Sequence, residues 1–103
     1  MLKDGIIVAN NRTGEILNKS LPVATTEYSQ LIPAGTRQFT ISSRLMGTLR
    51  IALNSGETTT KYLTIPAGAS KTFKDLAVRG LTLYVQSDTG SDVMEVECWK
   101  DTV

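Results

Sequence analysis

The sequence predicts an all-β protein, a single antiparallel β-sandwich that is jelly-roll-like and has about eight short strands. Short apolar segments alternate with turn residues along the whole chain, as they do in sandwiches and barrels. The tetrapeptide Ile-Pro-Ala-Gly occurs twice, at 32–35 and at 65–68, and indicates a sharp corner between two strands. The connections are too short for helical crossovers, which favours antiparallel pairing.

The length of 103 residues suits one domain with one core, and we assign residues 1–103 to it. The N-terminal apolar run is too short for the core of a signal peptide, so we expect a first strand at 5–9 and a protein that is not secreted. No run approaches the roughly 18 apolar residues of a membrane-spanning helix. Residues 1–23 are the least regular part of the chain.

The remaining elements follow from alternation and turn residues. A turn is expected at 10–14, a weak strand at 15–18 and an extended connection at 21–23. Further strands are expected at 26–32, 36–42, 49–53, 62–65, 71–78, 81–86 and 93–99. In the last of these, Met94, Val96 and Cys98 share one face, and Glu95, Glu97 and Trp99 share the other.

Each Pro-Ala-Gly corner is expected to form a type I turn, with proline at the second position and glycine at the fourth. Each would end a strand and direct the following aromatic residue, Phe39 or Phe73, into the core. The two copies fit an internal duplication, and they fit equally a turn that arose twice.

Charge and composition exclude several function classes. Eleven basic and ten acidic residues are interspersed and give a net charge of +1, which argues against nucleic acid as a partner. The chain has no histidine, so Ser-His and Cys-His nucleophile pairs and an ordinary zinc site are excluded. We therefore predict no enzymatic activity, no cofactor, and no catalytic or metal-binding residue. The single cysteine, Cys98, is expected to be a buried small hydrophobe.

Three groups of residues leave alternatives open. Glu95 and Glu97 could act as paired acids on a glycoside, but a solvated strand face is the simpler interpretation. The acidic loop at 88–92 could hold calcium, but it lacks the ordered spacing of an EF-hand loop, and a solvated hairpin turn is the simpler interpretation. Trp99 could anchor an interface or cap one edge of the core. The aromatic residues that could form a sugar-stacking platform with it are Tyr28, Tyr62 and Tyr84.

The segment from 62 to 76, which contains the second corner, and the segment from 79 to 87 resemble small virion proteins of tailed bacteriophages, which share short length, Thr-rich strands and the absence of a catalytic set. The resemblance is to head decoration, or cement, proteins with β-sandwich or jelly-roll folds. It implies a structural protein made in the host cytoplasm, which binds the major capsid protein on the capsid exterior and bridges coat subunits. Such proteins act as dimers or trimers, and an N-terminal segment, here 1–23, often contacts the capsid.

On this hypothesis the interface residues are Ile6, Ile7, Val8, Leu21, Val23 and Trp99. Neither nucleic acid nor a membrane is expected as a partner. The alternative function is a carbohydrate- or receptor-binding module of a phage tail or surface assembly.

Overall fold

The computed structural model describes residues 12–101. Its eight strands are β1 (Arg12–Leu21), β2 (Tyr28–Ile32), β3 (Thr36–Ser43), β4 (Leu49–Ala52), β5 (Leu63–Ile65), β6 (Ser70–Phe73), β7 (Leu81–Ser87) and β8 (Asp92–Asp101). The strand predicted at 5–9 lies outside the described residues.

The strands form two four-stranded sheets. Sheet A has the order β1-β8-β3-β6, sheet B has the order β2-β7-β4-β5, and every pairing is antiparallel. The prediction of an all-β antiparallel sandwich is therefore confirmed. Pairs β1·β8, β2·β7, β3·β6 and β4·β5 are nested, as in one long hairpin folded into two sheets, which is compatible with jelly-roll-like winding.

The core lies between the sheets and follows the two-residue period of the strands. Sheet A contributes Met94, Val96 and Cys98 of β8, which are buried on one face as their alternation predicts. The other fully or nearly buried core side chains are Leu21, Ile32, Phe39, Ile41, Leu49, Ile51, Ile65, Leu83 and Val85. These side chains come from both sheets, so one core holds the sandwich together.

Both Pro-Ala-Gly corners carry the chain from sheet B to sheet A. In the first, the N–H of Thr36 donates to the carbonyl of Pro33 at 3.3 Å, and Gly35 has a φ of 89°. The second corner repeats this geometry, with a 3.0 Å hydrogen bond and a glycine φ of 77°. Proline is thus at the first position of each turn and glycine at the third. The prediction of a type I turn with proline second and glycine fourth was therefore wrong. Each turn begins one residue later than predicted, at the proline, and the positive φ of the glycine at the third position is that of a type II turn.

The strands that leave the two corners pair with each other. Phe39 of β3 lies opposite Phe73 of β6, and the two rings stack with their centroids 4.9 Å apart. Phe39 is buried and Phe73 is half-buried against the core. The prediction that each corner directs an aromatic residue into the core is confirmed. The strands that leave the two corners therefore meet through these aromatics, while the corners themselves lie at opposite ends of the sandwich.

Strand β1 differs most from its prediction. The sequence predicted a turn at 10–14 and a short strand at 15–18, whereas the structure has one ten-residue strand, Arg12–Leu21. Its register runs from Arg12 opposite Asp101 to Leu21 opposite Asp92, so β8 supplies a pairing partner for its full length. Residues 12–21 of the predicted N-terminal segment 1–23 are therefore part of the sandwich.

Two other predicted strands end early. Strand β4 ends at Ala52, which is buried, whereas Leu53, expected to share the core face of Ile51, is 61% exposed. Strand β6 ends at Phe73 rather than at 78. Asp75 adopts a φ of 61°, which is incompatible with a continuing strand.

We predict that Gly35→Ala lowers the free energy of unfolding by about 1 kcal/mol, because an alanine at a positive φ brings its Cβ close to the next carbonyl. The nearest heavy atom to the new Cβ is the Cδ of Lys100, 4.0 Å away, so backbone strain is the main cost. Urea denaturation measures the change.

The matched control is Gly80→Ala, because a Cβ there meets nothing within 4 Å and its φ lies outside the left-handed region. We expect this variant to be as stable as wild type or slightly more stable, since alanine restricts the unfolded chain. Equal losses in both variants would contradict the backbone explanation.

Candidate binding surface

Three connections meet at one end of the sandwich, which we call the loop end. They are the β1–β2 connection (22–27), the β3–β4 connection (44–48) and the β7–β8 connection (88–91). Antiparallel pairing places them at the same end as the second Pro-Ala-Gly corner and opposite the first. The hydrogen bonds at this end determine what surface it presents.

The carboxylate of Asp92, the first residue of β8, lies at the centre of the loop end and is 1% exposed. Its Oδ2 accepts hydrogen bonds from the hydroxyls of Ser43, at 2.6 Å, and Ser87, at 2.7 Å. Its Oδ1 accepts from the N–H groups of Val93, at 2.7 Å, and Leu45, at 3.1 Å. Ser43 ends β3 in sheet A and Ser87 ends β7 in sheet B, so this carboxylate joins the two sheets.

These four hydrogen bonds also determine the charge of Asp92. Burial alone would raise the pKa of the carboxyl group, because it disfavours the charged form. The donors from Ser43, Ser87, Leu45 and Val93 outweigh burial, and the pKa of Asp92 lies below its ordinary value. The group is therefore ionised at neutral pH, and its hydrogen bonds are charge-assisted.

Gly47 packs directly against this carboxylate. Its N–H donates to the hydroxyl oxygen of Ser43 at 2.8 Å. A Cβ at Gly47 would lie 2.7 Å from the hydroxyl oxygen of Ser87 and 2.8 Å from Oδ2 of Asp92. Only glycine, which has no Cβ, allows the β3–β4 connection to lie this close to Ser87 and Asp92. The hydrogen bond from Gly47 to Ser43 holds the connection in that position.

Further hydrogen bonds hold the other two connections. Thr48 and Asp88 exchange two of them: the Thr48 N–H donates to Asp88 Oδ1 at 2.9 Å, and the Asp88 N–H donates to the Thr48 carbonyl at 3.1 Å. The Ser91 N–H donates to the carbonyl of Pro22 at 3.0 Å, and the Thr25 N–H donates to the carbonyl of Ser87 at 2.7 Å. All three connections are therefore tied to one another or to β7.

Three large apolar side chains stand exposed on these connections: Val23, Leu45 and Met46. We call them the loop-end surface. Leu45 is held directly, since its own N–H donates to Asp92. Because the backbone that carries them is already ordered, a contact through these side chains would cost little further backbone entropy.

A second exposed apolar group surrounds β5 and consists of Leu53, Tyr62 and Leu63. The guanidinium of Arg50 lies 4.5 Å from the centroid of the Tyr62 ring. The neighbouring β4–β5 connection is held by Glu27, which accepts hydrogen bonds from the N–H of Gly56 and the hydroxyl of Thr58, both at 2.8 Å. The Gly56 hydrogen bond is the largest of the effects that lower the pKa of Glu27.

The predicted interface residues have different outcomes. Ile6, Ile7 and Val8 lie outside the described residues. Leu21 is fully buried opposite Asp92 and belongs to the core, so its side chain is not exposed for a contact in this fold, and its place at an interface stays a prediction. Val23 is exposed and belongs to the loop-end surface.

Trp99 lies apart from the loop end. It pairs with Gly14, seven residues along the β1·β8 ladder from the pair of Leu21 and Asp92, which is about 24 Å. It alternates with buried Cys98 and so lies on the outer face of sheet A. A Cβ at Gly14 would be 2.9 Å from its indole, which shows that the ring covers β1. Trp99 and Val23 therefore do not form one surface.

The proposed sugar-stacking platform is not assembled in the described part of the chain. Trp99 belongs to sheet A, whereas Tyr84 belongs to β7 of sheet B. Tyr28 packs against the core, and its hydroxyl oxygen accepts a hydrogen bond from the Val23 N–H. Tyr62 contacts Arg50 beside β5. The four aromatics therefore do not converge.

The two acidic groups also have structural partners. Glu95 and Glu97 share the outer face of sheet A, as predicted, and Arg44 pairs with Glu95 at 2.8 Å. In the 88–92 loop, the hairpin turn is confirmed, but Asp92 is buried rather than solvated. Within residues 12–101, no three His, Cys, Asp or Glu side chains are grouped to hold a metal ion.

Cys98 is buried, as expected of a small hydrophobe. Burial raises the pKa of its thiol, and the nearby charge of Glu15 raises that pKa further. No helix in the described part of the chain is long and apolar enough to cross a membrane.

Comparisons with known proteins give little further information. No protein-family model matches the chain. No curated protein matches it either. A solution NMR structure of a de novo designed double-stranded β-helix is similar to it, with a TM-score of 0.47 and 16% identity over 86% of this chain and 97% of the designed one. That likeness is too weak to support an argument.

We predict that Asp92→Asn lowers the free energy of unfolding by about 3 kcal/mol at pH 7, because the buried network loses its negative charge and one acceptor oxygen is replaced by an NH2 group that faces two other donors. The folded pKa of Asp92 is lowered, so its contribution is complete above the unfolded value, about 3.9. It is lost as the pH falls through the folded value. Urea denaturation should therefore show a wild-type advantage that shrinks below about pH 4.

Asp75→Asn is the control, because Asp75 is exposed and asparagine tolerates its positive φ. We expect that variant to stay within about 0.5 kcal/mol of wild type. A constant difference between wild type and Asp92→Asn across the acid range would refute the charge-based explanation.

Proposed function

We propose that this chain is a non-enzymatic virion structural protein that decorates and stabilises a phage capsid by bridging coat subunits. Its partner is the major capsid protein, and its place is the capsid exterior after synthesis in the host cytoplasm. The proposal includes a homo-oligomer, dimer or trimer, and involves no cofactor, nucleic acid or membrane.

The observation that carries this proposal is the loop-end surface. Val23, Leu45 and Met46 are exposed apolar side chains on connections that the Asp92 network holds in place. A preformed apolar contact suits binding to a rigid, repeating partner such as a protein lattice. The resemblance of the segment 62–87 to decoration proteins supports the same function.

The physical mechanism is preferential binding. A protein that binds the assembled lattice and not its free subunits stabilises the lattice by RT ln(1 + [L]/Kd). Several contacts made by one oligomer add avidity without any stronger single contact. The chain therefore needs a rigid fold and a contact surface, and no reactive group.

The test is co-sedimentation of the purified protein with assembled coat-protein shells of its parent phage. We expect wild type to sediment with the shells and the double variant Leu45→Ser/Met46→Ser to bind at least about tenfold more weakly, since it loses two apolar contacts. Both residues are exposed, so the variant should keep its wild-type stability.

Leu31→Ser is the matched control, because Leu31 is equally exposed but lies near the first corner, at the opposite end of the sandwich. It should bind shells as wild type does. Absence of wild-type binding to shells would refute capsid decoration. Binding to purified tails or to glycans instead would favour the alternative of a tail or receptor-binding module.

A further inference from the structure

Strand β1 is a long edge of sheet A. It spans Arg12–Leu21 and stands first in the order β1-β8-β3-β6. Within residues 12–101, no strand pairs with its outer side. Such an edge presents a row of backbone N–H and C=O groups over about 33 Å, which can pair with another strand.

The side chains of β1 have a pattern that is complementary to itself. Glu15, Leu17 and Lys19 lie opposite Cys98, Val96 and Met94, so they share the face of sheet A that points towards the core. Glu15 lies two positions before Leu17, and Lys19 lies two positions after it. If two copies of β1 pair antiparallel with Leu17 opposite Leu17, Glu15 of each copy faces Lys19 of the other.

The length of the strand selects the same register. Pairing Leu17 with Leu17 overlaps residues 13–21 of both copies and keeps like faces together. Complete overlap would place Arg12 of one copy opposite Leu21 of the other, and every core-facing side chain would then lie opposite an outward-facing one. Two copies of sheet A cannot join into one continuous sheet in that register, because opposite residues of a sheet lie on the same face. The register that matches the charges is therefore one of the two that overlap the strand best.

The apolar residues of β1 gain contacts in this arrangement. Leu17 is half-buried in one copy, and opposite residues in a sheet have Cβ atoms about 5 Å apart, so each Leu17 would cover the other. On the outer face, Ile16 is 61% exposed and would lie opposite Asn18 and diagonal to Ile16 of the second copy. About nine backbone hydrogen bonds would form, which is typical of a whole protein interface.

We propose that β1 is a dimerisation edge that takes β1 of a second copy of this chain, with Leu17 on the two-fold axis and two Glu15–Lys19 pairs across it. The result is one continuous eight-stranded sheet. Because the contact uses the same patch on both copies, it closes at two and makes no longer polymer. The inference specifies the oligomer of the proposed function, but it does not rest on capsid binding.

Charge reversal tests the pairing by sedimentation equilibrium. Wild type should weigh about twice its chain mass of 11.2 kDa. Glu15→Lys and Lys19→Glu each place like charges in both pairs, and we expect each to raise the dimer dissociation constant at least about tenfold. The double variant Glu15→Lys/Lys19→Glu should dimerise as wild type does.

Mixing the two single variants is the sharpest part of the experiment. One copy then has lysine at 15 and 19 and the other has glutamate at both, so every pair is complementary and a heterodimer should form. Recovery in the mixture also shows that both variants are folded. Lys61→Glu, an exposed charge on the β4–β5 connection, is the control and should leave the dimer unchanged.

Three results would overturn the proposal. They are a monomeric wild type, a trimeric mass, and a dimer that neither single reversal weakens. Charges on an edge strand can also serve to prevent pairing, and a monomeric wild type is what that role predicts. Shell binding by a monomeric wild type would leave capsid decoration standing without its oligomer, while this inference failed.

Discussion

The buried carboxylate of Asp92 is the interaction on which the loop end of this protein depends. An ionised group removed from water is costly unless donors replace its hydration, and Asp92 has four. Two of those donors are hydroxyls at the ends of strands in different sheets, Ser43 and Ser87. The core holds the sheets face to face, whereas the Asp92 carboxylate fixes where their ends lie and therefore where Leu45 is presented.

The two-residue alternation made most of the fold predictable from the sequence. It placed Met94, Val96 and Cys98 in the core correctly, because those positions depend only on which face of a strand is buried. The Pro-Ala-Gly corners were recognised as sharp turns between two strands, but proline and glycine each lie one position earlier in the turn than predicted, and the turn is type II rather than type I. Both type I and type II turns accept proline and glycine, and only φ at Gly35 distinguishes them.

The candidate site was largely beyond the reach of the sequence. Asp92 and Ser43 are 49 positions apart, and nothing local indicates that they meet. In isolation, Asp92 in a Ser-Asp-Thr-Gly-rich loop has the character of a solvated turn residue. Gly47 likewise has no turn signature of its own, since its role is to leave room for Ser87 and Asp92. The length of β1 also depended on a partner, β8, near the other end of the chain.

The loop-end surface lies beyond the end of β1, and the proposed pairing uses residues 13–21, which do not include Val23, Leu45 or Met46. Antiparallel pairing of two β1 strands would direct the two loop ends in opposite directions. A dimer of that form would present Val23, Leu45 and Met46 twice, at its two ends, so under the proposed function one dimer would offer two separate contacts to coat subunits.

The most direct test of the central role of Asp92 is an NMR pH titration of its carboxyl carbon together with the amide protons of Leu45 and Val93. We predict that the three signals shift together, with a pKa below the ordinary value for aspartate, because one ionisation controls all of these hydrogen bonds. A carboxyl that titrates at the ordinary value, with no change at either amide, would contradict the account.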